Sequence, residues 1–255
     1  MSTSNDVDSE NTTALPRIDK IVPVASTKWL ALETIHYTDQ EGKERLWDVA
    51  TRTTKPKPMD SMSKTTAVPG STRSTADAVV IIPLLKSSTK MTPLETILVE
   101  QYRPPVQQTT MEFPAGLVDA NETVEEAALR ELHEETGFVG EEQTTTKVLN
   151  VSRPVCMTPG LSTETVHCVI VEVDLDRTEN CGVPTPNLDD GEHVKVHRVP
   201  LDEGLQTLLD TCPAMPIMGL YLFAVGFQMG QSSSVAGASA VASAAAYASS
   251  SNDNK

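Results

Sequence analysis

The chain has no apolar run long enough to cross a bilayer. The longest, 214–227, holds about 14 residues and includes Pro216, short of the roughly 20 a spanning helix needs. Positive charge is also scarce: 20 Lys and Arg face 35 Asp and Glu, for a net charge of −15 and a pI near 4.7. That balance argues against non-specific binding to nucleic acid or to an anionic membrane. The four cysteines, Cys156, Cys168, Cys181 and Cys212, show no C-x-x-C spacing. They are expected to be small buried hydrophobes in a reduced, intracellular protein. The five histidines have no zinc-like spacing and are given no catalytic role. Met1 to Thr13 is polar and acidic, with no apolar signal core. Cytoplasmic residence is expected, with the nucleus as a further compartment.

What is present divides into five stretches. Residues 1–17 read as a disordered N-terminus, 18–54 as a strand region, 55–76 as a flexible loop rich in Ser, Thr, Pro and Lys, 77–229 as the main domain, and 230–255 as a low-complexity Ser/Ala tail. Strands are expected at 21–25, 29–37, 45–53, 79–85, 96–102, 147–155, 166–173 and 194–199, and helices at 123–136, 200–209 and 217–228. Strands on both sides of one central helix, with more helix at the end, suggest an α/β (α+β) domain: a mixed sheet with helices on its faces.

The chemistry concentrates in 116–138. Leu, Ala and Glu favour a helix over 123–136, with Asn121 or Thr123 as its cap and Gly137 at its stop. Val124, Ala128 and Leu132 share one face of that helix and should pack on the sheet. Glu131, Glu134 and Glu135 fall within an arc of about 100° on the adjoining face. Each such pair repels, by roughly 1 kcal/mol in water at about 4 Å and about 4 kcal/mol at an effective dielectric of 20. The acids also sit toward the C-terminal end, where the helix dipole opposes them. A solvated acidic face offers no reason for this placement, whereas a hard divalent cation with oxygen ligands does. Arg130, four residues from both Glu126 and Glu134, can clamp a carboxylate with its planar fork. Gly116 suits a tight turn, and the Ala115 carbonyl could then face the metal.

The stretch from Gly116 to Phe138 matches G-x5-E-x7-R-E-U-x-E-E-x-G-U, where U is bulky and apolar. A chance match to its seven fixed identities is on the order of one in a million or rarer. This pattern resembles the Nudix box. The runs Val99 to Pro105, Glu112 to Leu117, Cys156 to Ser162 and Asp190-Gly191-Glu192 are similar to the ADP-ribose and ADP-sugar pyrophosphatase branch of that superfamily. The resemblance covers roughly residues 18–228.

It implies an αβα sandwich over 77–229 and hydrolysis of ADP-ribose, or a related ADP-sugar, to AMP and ribose 5-phosphate. The metal would be Mg²⁺, with Mn²⁺ as a substitute, on Glu131, Glu134, Glu135 and the Ala115 carbonyl. Glu122, Arg130 and Gly116 would support them. The general base lies between Glu192, which is preferred, and Glu134. The N-terminal antiparallel strands would take part in a homodimer, with adenine between Trp29 and Trp47 of different subunits. Arg52, Arg103, Met157 and Gly160 complete the expected substrate contacts. The partner is a small nucleoside diphosphate sugar, with no nucleic acid and no membrane. Two other readings stand beside this one: a pyrophosphatase acting on an oxidised nucleotide or another nucleotide sugar, and a non-catalytic nucleotide-binding regulator.

Overall fold

The computed structural model describes residues 15–54, 76–90, 93–139, 148–182 and 184–232. Most of the expected N-terminal disorder, the 55–76 loop and the 230–255 tail lie outside these residues. Two compact units divide the chain: one gathers the described parts of 1–64 and 75–77 with 154–166, the other 78–153 and 167–255.

The first unit is a three-stranded antiparallel meander, β1 (Arg17–Ser26), β2 (Leu30–Thr38) and β3 (Glu44–Arg52). β1 begins within the stretch expected to be disordered. The turn into β3 is built on Asp39, whose Oδ1 accepts from Glu41 N and Lys43 N, both at 2.9 Å. β1 is exposed along its whole length, and among the residues of these three strands only Val49 is a buried hydrophobic.

The second unit carries β4 (Ala78–Lys86), β5 (Glu95–Arg103), β6 (Gln108–Glu112), β7 (Ala115–Leu117), α1 (Val124–Thr136) and β8 (Val148–Val151). β9 (Val155–Cys156) and the first two residues of β10 (Thr165–Asp174) belong to the first unit. The second continues with the rest of β10, then β11 (Val194–Pro200), α2 (Glu203–Thr211), β12 (Met215–Pro216) and a third helix, α3, over 218–232. Its sheet runs β12-β6-β5-β4-β10-β8, with β11 also on β5 and β7 on β4. β12 lies parallel to β6 whereas β5, β6 and β11 pair antiparallel, so the sheet is mixed, as expected.

Strand alternation assigns the two faces. Ile97 points into a core with Val79, Ile81, Val169, Val171 and the α1 residues Val124, Ala128 and Leu132. Its neighbour Leu98 points into the opposite core, with Met111, Phe113, the α2 residue Leu205 and the α3 residue Leu220. β5 is therefore apolar at consecutive positions because helices cover both its faces. This is the αβα sandwich the sequence implied.

Three expectations change. The strand over 147–155 is two, β8 and β9, with Pro154 between them removing a donor. The helix expected at 200–209 starts at Glu203, capped by the Asp202 side chain, because Pro200 ends β11. The cysteines are not buried: Cys156 and Cys181 are exposed, Cys168 and Cys212 half-buried, and all are free. Cys156 sits in the exposed two-residue β9, and Cys212, just beyond α2, packs only partly against the core that holds Leu98 and Leu205. Among the described residues, no helix is long and apolar enough to cross a membrane.

Candidate active site

The first turn of α1 fixes where everything else on it points. Thr123 is the N-cap, and it exchanges hydrogen bonds with Glu126 in a capping box. Glu126 is thereby used at the cap and is not the Arg130 partner that helix spacing suggested. Arg130 instead grips Glu122, eight residues back in the turn before the helix, through Nε to Oε1 at 2.8 Å and Nη2 to Oε2 at 2.9 Å. Its Nη1 donates to Glu131 at 2.8 Å and Glu134 at 2.9 Å, and Nη2 also reaches the Leu117 carbonyl. These carboxylates, Glu122 first, raise the Arg130 guanidinium further above its ordinary range. Burial works to raise Glu122, yet the Arg130 hydrogen bond and the Asp119 N–H hold it below the usual carboxylate range.

Glu131 lies against β7. Gly116 lies within β7, not in the tight turn expected of it, and a Cβ there would stand 1.9 Å from the Glu131 carboxyl carbon, so a side chain at 116 would displace the Glu131 carboxylate from its place. Burial raises Glu131, against the pull of Arg130 and with the push of Glu134 and Glu192. Glu135 is only 6% exposed and accepts from the Ala115 N–H at 2.9 Å. Burial pushes its carboxyl up to about 8; the Ala115 N–H and Arg103 oppose this, and the charges of Glu131 and Glu192 add to it. The structure thus brings Ala115, Glu131, Glu135 and Glu192 into one neighbourhood.

Arg103 faces the same neighbourhood from the end of β5. It forms a bidentate pair with Glu112 of β6, both contacts at 2.8 Å, and Thr110 Oγ1 donates to Glu112 at 2.6 Å. Glu112 leads in raising the Arg103 guanidinium, with Glu135 and Glu192 contributing. Six carboxyls (Glu112, Glu122, Glu131, Glu134, Glu135 and Glu192) therefore meet two guanidiniums, leaving four negative charges when all are ionised. Arg130 draws Glu131 and Glu134 onto itself, and among the described residues no three acid, His or Cys groups form a ready-made cation cage. The donor set still fits a hard divalent cation. It is all oxygen, and in Glu135 it buries a carboxylate with no full countercharge of its own.

The first unit holds the other expected contacts. Trp29 is 57% exposed and Trp47 48%, so neither is a core residue. Lys28 Nζ sits 4.1 Å from the Trp29 ring centroid, and Trp47 Nε1 donates to the Gly160 carbonyl at 3.3 Å. Arg52 is engaged with Glu164, Nε to Oε1 at 2.7 Å. Met157 is partly exposed, and nothing lies within 4 Å of a Cβ placed at Gly160.

A NUDIX domain model matches residues 75–214, more than half of the chain. The chain belongs to the Nudix family. A mouse ADP-sugar pyrophosphatase is 37% identical over 191 residues, 75% of this chain and 76% of that protein. An ADP-ribose pyrophosphatase of Saccharomyces cerevisiae is 37% identical over 174 residues, 68% of this chain and 65% of its own length. A crystal structure of an ADP compounds hydrolase superposes with a TM-score of 0.52 over 79% of this chain and 86% of that one. At 19% identity this likeness speaks to the fold.

Within the Nudix domain, the sequence reading gave Glu112 no role of its own. On the β5–β6 ladder Glu112 lies opposite Val99 and Arg103 opposite Gln108, and it is the long Arg103 side chain, running back along the strand pair, that reaches Glu112. Members of this family generally use a divalent metal, which the oxygen-donor set around Glu135 suits.

Proposed function

We propose that this Nudix protein hydrolyses the diphosphate linkage of ADP-ribose, or a related ADP-sugar, to AMP and the sugar phosphate. The carrying observation is the carboxylate cluster around Glu135, in a chain 37% identical to a mouse ADP-sugar pyrophosphatase across three quarters of its length. Water oxygen bonds to one phosphorus, the bridging P–O bond breaks, and the bridging oxygen leaves on the other phosphate. With ADP-ribose the second product is ribose 5-phosphate.

Glu131, Glu134, Glu135 and the Ala115 carbonyl would hold Mg²⁺, or Mn²⁺ in its place. Bound there, the ion supplies Lewis-acid polarisation of the phosphoryl oxygens and a more acidic water. Arg130 keeps Glu131 and Glu134 turned inward while Glu122 holds its other edge. Glu192 takes the proton of the attacking water, with Glu134 as the rival. Arg103, anchored by Glu112, presents positive charge to the diphosphate.

The first unit serves adenine binding and homodimerisation in this reading. Two exposed tryptophans and an exposed apolar strand surface (Ile18, Ile21, Val24 and Leu46) support it. The test is purified protein with ADP-ribose and Mg²⁺, beside Glu135→Gln, with product identification. AMP plus ribose 5-phosphate, absent in the variant, is the expected result. Turnover confined to another nucleoside diphosphate would reject the substrate, and no turnover of any would favour a binding protein.

A further inference from the structure

We infer that residues 184–187 seat the Glu192 loop on the C-terminal end of the Nudix helix, with Asn187 as a positioning residue for the reaction. The inference rests on the role given above to Glu192.

The seat is built from backbone. The last four carbonyls of a helix have no partner within it. At the end of α1, the Glu134 carbonyl accepts from the Asn187 N–H at 2.8 Å. Gly137, at φ +73, closes the helix, and a Cβ there would stand 2.6–2.7 Å from the backbone O, C and N of Thr185. The glycine that ends the box therefore does more than permit a left-handed turn: it leaves room for the crossing segment. Further along, buried Asn180 accepts from Val139 N at 2.8 Å and donates to the Val139 carbonyl at 3.0 Å. Contacts at 134 with 187, 137 with 185 and 139 with 180 run in opposite senses along the two stretches. Pro184 and Pro186 flank Thr185 with fixed φ, so the crossing segment is stiff.

Five residues beyond Asn187 comes the turn that presents Glu192. Glu192 N donates to the Asp189 carbonyl at 3.1 Å, and Asp189 N donates to Glu192 Oε2 at 3.3 Å. The Glu192 carboxylate is felt by Glu131, Glu135 and Arg103. The helix that carries the metal-ligand acids thus also carries the seat of the base loop. One hydrogen bond and one glycine set the spacing between them.

The test compares the full-length wild type with Asn187→Ala, which keeps the N–H, and Asn187→Pro, which removes it. Asn187→Ala should stay within about twofold of wild type in kcat. Asn187→Pro should lose roughly 10–100-fold in kcat, the scale of a 1 Å misplacement, with KM for ADP-ribose changed by less than about threefold. Hydrogen exchange on metal-free protein gives a readout independent of turnover: in Asn187→Pro, amides of 188–193 should exchange faster while those of 124–136 keep their protection. Equal kcat in the two variants, or unchanged exchange at 188–193, overturns the inference. If Asn187→Pro loses protection in α1 as well, the double variant Pro184→Gly/Pro186→Gly decides. It should lose kcat with α1 intact, and wild-type kcat in it overturns the seat. A wild type that leaves ADP-ribose untouched rejects the proposed function, while the exchange data still judge the seat.

Discussion

The two units use apolar residues in opposite ways. In the second, β5 is buried at consecutive positions and feeds two separate cores. In the first, β1 is exposed throughout, and Leu46 and Trp47 of β3 are open to solvent. A sheet covered on both faces can bury carboxylates such as Glu135 and Glu112 and hold them in place. An open meander cannot, and its charged pairs, such as Arg45 with Asp39, remain near water. The comparison teaches that the acid-rich chemistry belongs to the closed unit, while the open unit offers surface to something else.

The largest effect should come from the closed unit. Glu135→Gln should lower kcat/KM for ADP-ribose by about 10³-fold or more, since metal-based charge stabilisation contributes several kcal/mol. Chelation by EDTA should do the same to wild type and be reversed by Mg²⁺. Leu132→Ala should cost roughly 2–5 kcal/mol of stability, because Leu132 is fully buried between α1 and the sheet. Leu46→Ala, on the open meander, should cost within about 0.5 kcal/mol in a monomer. If urea melts show a large loss for Leu46→Ala together with a lower mass by light scattering, the open face is an interface.

Trp47→Ala should raise KM for ADP-ribose with little change in kcat, by the roughly 1–3 kcal/mol of base stacking; an unchanged KM rejects the adenine role. The smallest effect concerns Glu100, which the His197 hydrogen bond leads in holding below the usual carboxylate range, with Lys195 adding. A depressed acid contributes stability above its unfolded pKa of about 4.3 and loses it as pH falls through the folded value. Glu100→Gln should therefore be less stable than wild type by about 1 kcal/mol or less at pH 7, and the gap between the two melts should close as the pH falls below the unfolded carboxylate range.

The box helix was legible because the Nudix motif fixes residue type at fixed offsets and helix geometry converts offsets into a face. Val124, Ala128 and Leu132 pack on the sheet where the spacing put them. Arg130 was half legible. Its i+4 partner Glu134 is present, but its main partner, Glu122, comes from a turn that helix periodicity does not describe. Glu112 took meaning only from its bidentate contact with Arg103, a side-chain fact that neither strand's pattern announces. The short β7 and β12, next to prolines, gave no period long enough to read. The box also gives no sign that Gly137 would receive Thr185, because that contact joins residues far apart in the chain.

If Glu135 holds the metal as proposed, it sets catalysis against folding. Its burial makes the ionised carboxylate costly in the bare protein, so Glu135→Gln should melt higher than metal-free wild type at pH 8 even as it loses turnover. A cation bound there stabilises only the folded chain, by about 2.7 kcal/mol at a hundredfold excess over its Kd. Magnesium supply would then govern how much protein survives as well as how fast each molecule turns over.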